Sequence, residues 1–316
     1  MAFNLPTETA KGKVREVELG AGGKAKKEGG ENCLPFHLWE GQMPNRPMVA
    51  AEVSDEVGEF PEALEKALGD VKNDPVAWAK KAVGEWGADA VFLLLTSTDP
   101  KATDAPPEQA ADTVIKVEEA IDVPLIVYGT EDLEKDAELM KVVATKAEGK
   151  NLVMGPAKEE NFKRIGAPAI GYKQTVVGMT PIDVNLAKQL NILLTNLGME
   201  ADKLIIDPTT GALGYGLEYT YSVMERLKIA ALMQNDSMTQ MPLLGNVGFQ
   251  AWKTKEAKSS QEEYPEWGDP EKRGIMWETI TALALLLAGA DILVLRHPES
   301  IRLTKKLIDD LCAVGV

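Results

Sequence analysis

The chain of 316 residues carries a formal net charge of −15, is 45% hydrophobic and 26% charged, and holds only two cysteines. That balance fits a globular protein with a large core and excludes wholesale disorder. The acidic excess argues against binding a nucleic-acid backbone, which takes clustered Lys and Arg, and Cys33 and Cys312 are too few to hold an iron–sulfur cluster or an all-cysteine zinc site.

In chain order, residues 1–47 stand apart as an N-terminal extension. Met1 to Pro6 is not followed by the apolar run of a secretory leader, so a cytoplasmic location is expected. Val14–Leu19 alternates like a strand, and Gly20, Gly22, Gly23, Gly29 and Gly30 break the chain, which predicts a short β-hairpin. The basic cluster Lys24, Lys26 and Lys27 reads as its solvated tip.

From residue 48 to 316 short β-rich runs alternate with longer helical ones, the pattern of a parallel sheet with crossover helices. The predicted strands are Met48–Val53, Ala90–Leu95, Pro124–Tyr128, Leu152–Gly155, Ala169–Lys173, Leu204–Asp207, Leu243–Val247 and Ile292–Leu295. Asp74-Pro75 opens a helix that runs to Trp86 and is stopped by Gly87, and Pro298 opens the last helix, to Leu311. The turn after the first of these strands carries Asp55 and Glu56 and no glycine-rich phosphate cradle, which disfavours a dinucleotide fold. Eight complete βα units predict an α/β chain folded as a closed (β/α)8 TIM barrel, with the hairpin either plugging its bottom or serving an interface. The longest apolar stretch, Ile280 to Ala290, is broken by Thr281 and Gly289 and falls short of the roughly 20 residues of a membrane span, so no membrane association is expected.

Such barrels carry function where the strands end. Thr96 to Pro100 reads as turn chemistry. Asp207 to Gly216 joins a carboxylate, Thr209, Thr210 and three glycines, residues that let backbone approach a ligand. Asn246, within Leu244-Gly245-Asn246-Val247-Gly248, places an amide at the rim among small neighbours, able to donate and accept without ionising. The loop from Phe249 to Arg273 holds Trp252, Tyr264 and Trp267 as candidate partner anchors. His37 and His297 have no metal-ligand partner at helical spacing, and no nucleophile–histidine–acid set is present, so neither a catalytic residue nor a metal ligand is assigned.

These strand ends resemble the pterin-binding barrels of dihydropteroate synthase and the methyltetrahydrofolate methyltransferases. There an Asp and an Asn on the third and fourth strands grip the pterin, where this chain has Tyr128-Gly129-Thr130 and Met154-Gly155-Pro156. Along essentially the whole chain, above all in Asp207 to Tyr219, Asn246-Val247-Gly248 and Leu293 to Pro298, the sequence is similar to the small subunit of the corrinoid iron–sulfur protein, equivalent to the acetyl-CoA decarbonylase/synthase delta subunit. That resemblance implies an anaerobe's methyl-group carrier in the Wood-Ljungdahl pathway. It implies a heterodimer with a large subunit that brings the iron–sulfur cluster, and a cobalt corrinoid (a B12-type cobalamin) at the interface. The methyl donor would be served by a methyltetrahydrofolate methyltransferase and the acceptor by acetyl-CoA synthase/carbon monoxide dehydrogenase. The missing D-x-H-x-x-G motif fits a shared corrinoid site, for which the candidate contacts are Thr209, Thr210, Gly211, Asn246 and Gly248. Two other readings stay open: a pterin-dependent methyltransferase using Asp207 and Asn246, and an architectural barrel organised by the Trp252–Trp267 loop.

Overall fold

The computed structural model describes residues 6–313. The extension supplies β1 (Val17–Leu19) and β2 (Lys26–Glu28), paired antiparallel with Val17 opposite Glu28 and Leu19 opposite Lys26. The repeat follows as β3 (Met48–Ser54), α1 (Glu62–Leu68), α2 (Pro75–Gly84), β4 (Ala90–Leu94), α3 (Pro107–Ala120), β5 (Leu125–Tyr128) and α4 (Leu133–Lys146). Its next part comprises β6 (Val153–Ala157), α5 (Phe162–Gly171), β7 (Thr175–Met179), α6 (Val184–Asn196), β8 (Leu204–Asp207) and α7 (Leu217–Leu232). It ends with β9 (Leu244–Asn246), α8 (Val247–Ala251), α9 (Lys255–Lys258), α10 (Pro270–Ala288), β10 (Ile292–Leu295) and α11 (Pro298–Ala313).

β3 to β10 form one parallel sheet in the order β8-β7-β6-β5-β4-β3-β10-β9. Its ends meet through a parallel bridge between Ile206 and Leu243 and a hydrogen bond from Ile206 N to Pro242 O of 2.9 Å, which closes the TIM barrel. Because strand side chains alternate between faces, the sheet makes two cores. Ala50, Phe92, Ile126, Val177, Ile205 and Val294 fill the inside, while Val49, Val91, Val127, Val176, Ile206 and Leu293 meet the helices outside.

The hairpin is the plug. Val17 and Leu19 are fully buried within the inner core, and Asn151, just ahead of β6, donates its side-chain amide to Glu18 O and Gly20 O, each at 2.9 Å. Gly20 N returns a hydrogen bond to Asn151 O. The lysines of the predicted tip are engaged rather than free: Lys24 pairs with Glu118, Lys26 donates to Asp89 O at 2.8 Å and Lys27 pairs with Glu16.

One predicted strand is corrected. Ala169–Lys173 is not a strand; Ala169 to Gly171 ends α5, and Lys173 turns the chain at φ 58°. Ile165 and Ala169, both fully buried, are spaced for one helix face, whereas the stiff β-branched run Thr175-Val176-Val177 forms the strand itself. The Asp74 cap holds as read, accepting from Val76 N and Ala77 N at 3.0 Å. Val247, taken as the end of a strand, instead opens α8. Among the described residues no helix is long and apolar enough to cross a membrane.

Candidate functional site

Inward-facing residues at the carboxyl ends of the strands form a polar layer above the inner core. Glu52 of β3 is buried and accepts from Arg296, whose Nε lies 2.8 Å from Glu52 Oε1. The guanidinium is flanked by the rings of Phe60 and Phe249, at 5.2 and 5.4 Å. Its backbone is fixed as well, since Glu278 of α10 accepts from Arg296 N at 2.6 Å and from His297 N at 3.2 Å.

Across the mouth Tyr128 OH donates to Asp207 Oδ2 at 3.0 Å, and Thr209 N donates to Oδ1 at 2.9 Å. Asp207 is nevertheless pushed up to about 6, because burial disfavours its charge by more than these two donors recover. The phenol of Tyr128 is raised well above its ordinary value by burial and by the carboxylate beside it. A carboxyl whose folded-state pKa lies above its unfolded value adds stability at low pH that is lost as pH rises through the folded value. Asp207→Asn removes that titration. The stability of the native chain should therefore fall by about 2–3 kcal/mol relative to the variant between about pH 4 and pH 7, read by urea unfolding across that range; a constant difference would show that Asp207 does not titrate in this way.

The sequence-predicted residues divide into two sets. Thr209, held at φ 64°, donates its hydroxyl to Thr180 O at 2.7 Å, and Thr210 is buried with a hydroxyl that has no partner. Asn246 lies on the inward face of β9, half-buried, with Oδ1 unpartnered. These three belong to the mouth. Gly211 and Gly248 have packing reasons of their own: a Cβ on Gly211 would come within 2.5 Å of Gly216 O, and one on Gly248 within 2.9 Å of Arg296 N. Glycine there lets the chain approach itself.

The long loop is ordered by its own contacts. Trp252, read as a partner anchor, is 1% exposed and stacks on His297 with ring centroids 5.9 Å apart, against Gly274. Its bulk belongs to the core. Tyr264 and Trp267, half-exposed, stack on each other at 4.0 Å under Lys255. Beyond the end of β4, Thr96 and Ser97 meet Asp55, which follows β3 and accepts from Ser97 N at 3.0 Å and from both hydroxyls, the turn chemistry expected there. Sequence reading missed Glu52, Tyr128 and Arg296. Glu52 left a signal, a charge at every-other-residue spacing from Met48 and Ala50 in an otherwise apolar strand.

Residues 16–308 match the family described as CO dehydrogenase/acetyl-CoA synthase delta subunit. The chain is 37% identical over 297 residues to the acetyl-CoA decarbonylase/synthase complex subunit delta of Methanosarcina mazei, covering 92% of this chain and 67% of the relative. It is 38% identical over 309 residues to that of Methanopyrus kandleri, covering 94% and 75%. Among solved structures, the dihydropteroate synthase of Coxiella burnetii superposes with a TM-score of 0.56 at 12% identity, over 95% of this chain and 99% of that one. That of Xanthomonas albilineans, with 4-aminobenzoic acid, gives 0.53 at 17% identity, over 87% and 96%. At such identities the likeness is one of fold.

Proposed function

This chain belongs to the CO dehydrogenase/acetyl-CoA synthase delta subunit family, and from that premise we propose that it is the barrel subunit that covers a cobalt corrinoid held with a larger, iron–sulfur-bearing partner. In this reading the pair carries a methyl group between a methyltetrahydrofolate methyltransferase and acetyl-CoA synthase. When bound, the corrinoid supplies the nucleophilic cobalt that takes and gives the methyl group.

The observation that carries the proposal is unused hydrogen-bonding capacity at the mouth. Asn246 Oδ1, Thr210 Oγ1, Thr180 Oγ1 and Glu52 Oε2 are buried and have no partner within the chain. Buried polar atoms are rarely left so, and the carboxamides around a corrin ring offer both donors and acceptors to meet them. The residues present therefore fit the group, with Thr209, Thr210 and Asn246 as the contacts; Gly211 and Gly248 hold the adjoining backbone close.

Two charges of the buried layer are already engaged. Arg296 is tied to Glu52, and Asp207 to Tyr128 and Thr209. Such a layer positions a ligand and excludes water with its own ion pair and carboxyl already engaged, which suits a carrier that must shield a reactive metal between transfers. It also counts against Asp207 as a pterin-handling catalytic group.

A subunit also needs a partner face. α10 turns Met276, Ile280 and Leu287 outward at 47%, 40% and 43% exposure, at helical spacing and with no charge from Gly274 to Gly289 except buried Glu278. We assign this stripe to the larger subunit.

Anaerobic affinity purification of the tagged chain from its native host, with an absorption spectrum and cobalt and iron analysis of the eluate, tests the reading. A larger chain bearing corrinoid and iron should co-elute. Asn246→Ala with Thr210→Ala should lower the cobalt retained several-fold, and Ile280→Glu should release the larger chain. A colourless chain that elutes alone and binds methyltetrahydrofolate would instead support the methyltransferase.

A further inference from the structure

Beside the centre of the mouth, toward β6, β7 and β8, lies a groove of about 610 Å³ that meets the contacts above only at Thr209. One part of its lining is apolar: Met179 ends β7, Pro181 follows it, and Leu186, on the first turn of α6, is 37% exposed. Another part of the rim is acidic, made by Glu131 after β5 and by Glu159 and Glu160 after β6; its one ammonium, Lys158, is 2.7 Å from Glu131 and so already paired, and Gln250 of α8 adds a single amide. Thr180 also lines the groove, 5% exposed, its hydroxyl without a partner.

This arrangement selects a ligand class. Acceptors outnumber donors, so the complementary group carries N–H donors. The rim is acidic on a chain of net charge −15, so an anion is repelled. A groove that joins an exposed leucine to a row of carboxylates further calls for a ligand edge that carries both methyl groups and polar groups.

The geometry points to this groove as the subsite for one edge of the corrin ring, with the acidic rim receiving its primary carboxamides and the Met179–Leu186 wall its methyl groups. The inference rests on the corrinoid reading above and adds to it the side of the mouth on which the macrocycle is seated. It also names the feature recognised, amide rather than acid.

Titration of the chain by visible absorption with dicyanocobinamide, an amide-bearing corrin without a nucleotide, and with cobyrinic acid, its all-carboxylate counterpart, tests it. The amide form should bind at least about tenfold more tightly than the acid. Leu186→Arg, at an exposed position and so compatible with folding, should weaken cobinamide binding by about tenfold or more with an unchanged melting curve. Glu159→Gln with Glu160→Gln should narrow the preference for amide over acid. Equal affinity for the two corrins, normal binding by Leu186→Arg, or no binding of either corrin by the parent chain would each overturn the subsite. A Leu186→Arg chain that binds cobinamide normally but loses its larger partner would assign the groove to a basic segment of that partner, and overturn it too. The cobalt content of the purified assembly judges the wider reading separately, since cobalt retained by the Leu186→Arg assembly removes only the groove, whereas an assembly without cobalt removes both.

Discussion

Lys228→Ala is expected to lower the unfolding free energy by about 3–5 kcal/mol, the usual result of removing one member of a buried charge cluster. Lys228 of α7 is 3% exposed and pairs with Glu31 of the extension and, at 2.8 Å, with Asp291 just ahead of β10. The two carboxylates hold its ammonium well above the ordinary lysine range, despite the burial that opposes charge. A raised folded-state value places the whole of this stabilisation below the unfolded lysine pKa, so it is complete at neutral pH and is lost only in strong alkali. Two carboxylates against one ammonium leave the cluster acidic, and burial together with Glu31 pushes Asp291 up to about 7.

Alanine leaves both acids buried without a cation, so the deficit should be largest above neutrality and shrink as pH falls and they take up protons. Urea unfolding of both chains from about pH 5 to pH 8 checks the size and the slope. A loss below about 1 kcal/mol, in the range of an exposed pair, would mean that the cluster does not tie the extension to the barrel. Gly289, at φ 110°, is packed against the Lys228 stem, so a side chain at position 289 would collide with it.

The second large effect belongs to the mouth. Arg296→Met strands Glu52 in the layer above the inner core and should also cost about 3–5 kcal/mol. Combining it with Glu52→Gln removes the stranded charge, and most of the loss should return, because a neutral pair of similar volume often does as well as a buried ion pair. The coupling from the double-mutant cycle is then the measurement. If the single variants add without coupling, the pair is not the unit that sets the mouth. Recovery of stability in the double variant without recovery of cobalt retention would further separate the fold's need for the pair from the ligand's.

Much of the architecture was legible in the residues. Short β-rich runs at regular spacing, Asp74 before Pro75 and the glycine stops give the barrel, because strand and helix periods and caps are local properties of the chain. The exception shows the limit of that reading. Ala169 to Lys173 is apolar enough for a strand, but Ile165 and Ala169 bury one helix face, and the true strand starts at the next β-branched run, at Thr175. Short apolar runs of either kind look alike until something packs on them.

The site was legible only in outline. Thr209, Thr210 and Asn246 are found at the mouth because their strands end there, a consequence of fold class that sequence position already carries. Trp252 shows the opposite case, a large aromatic in a polar loop that reads as an anchor and is instead buried on His297. Gly211 and Gly248 likewise suggest room for a ligand, but the space beside them is filled by Gly216 and Arg296.

The sequence by itself determined the α/β repeat, the closed barrel it forms, the hairpin ahead of it and the strand ends at which function sits. Only the tertiary structure decided that the hairpin is the barrel's plug, that Glu52 meets Arg296 and Tyr128 meets Asp207, and that an acidic groove opens between the loops of β5 to β8. The physical reason is separation along the chain. Periodicity and capping act over a few residues, whereas Glu52 and Arg296 are 244 residues apart and become neighbours only when the sheet closes on itself.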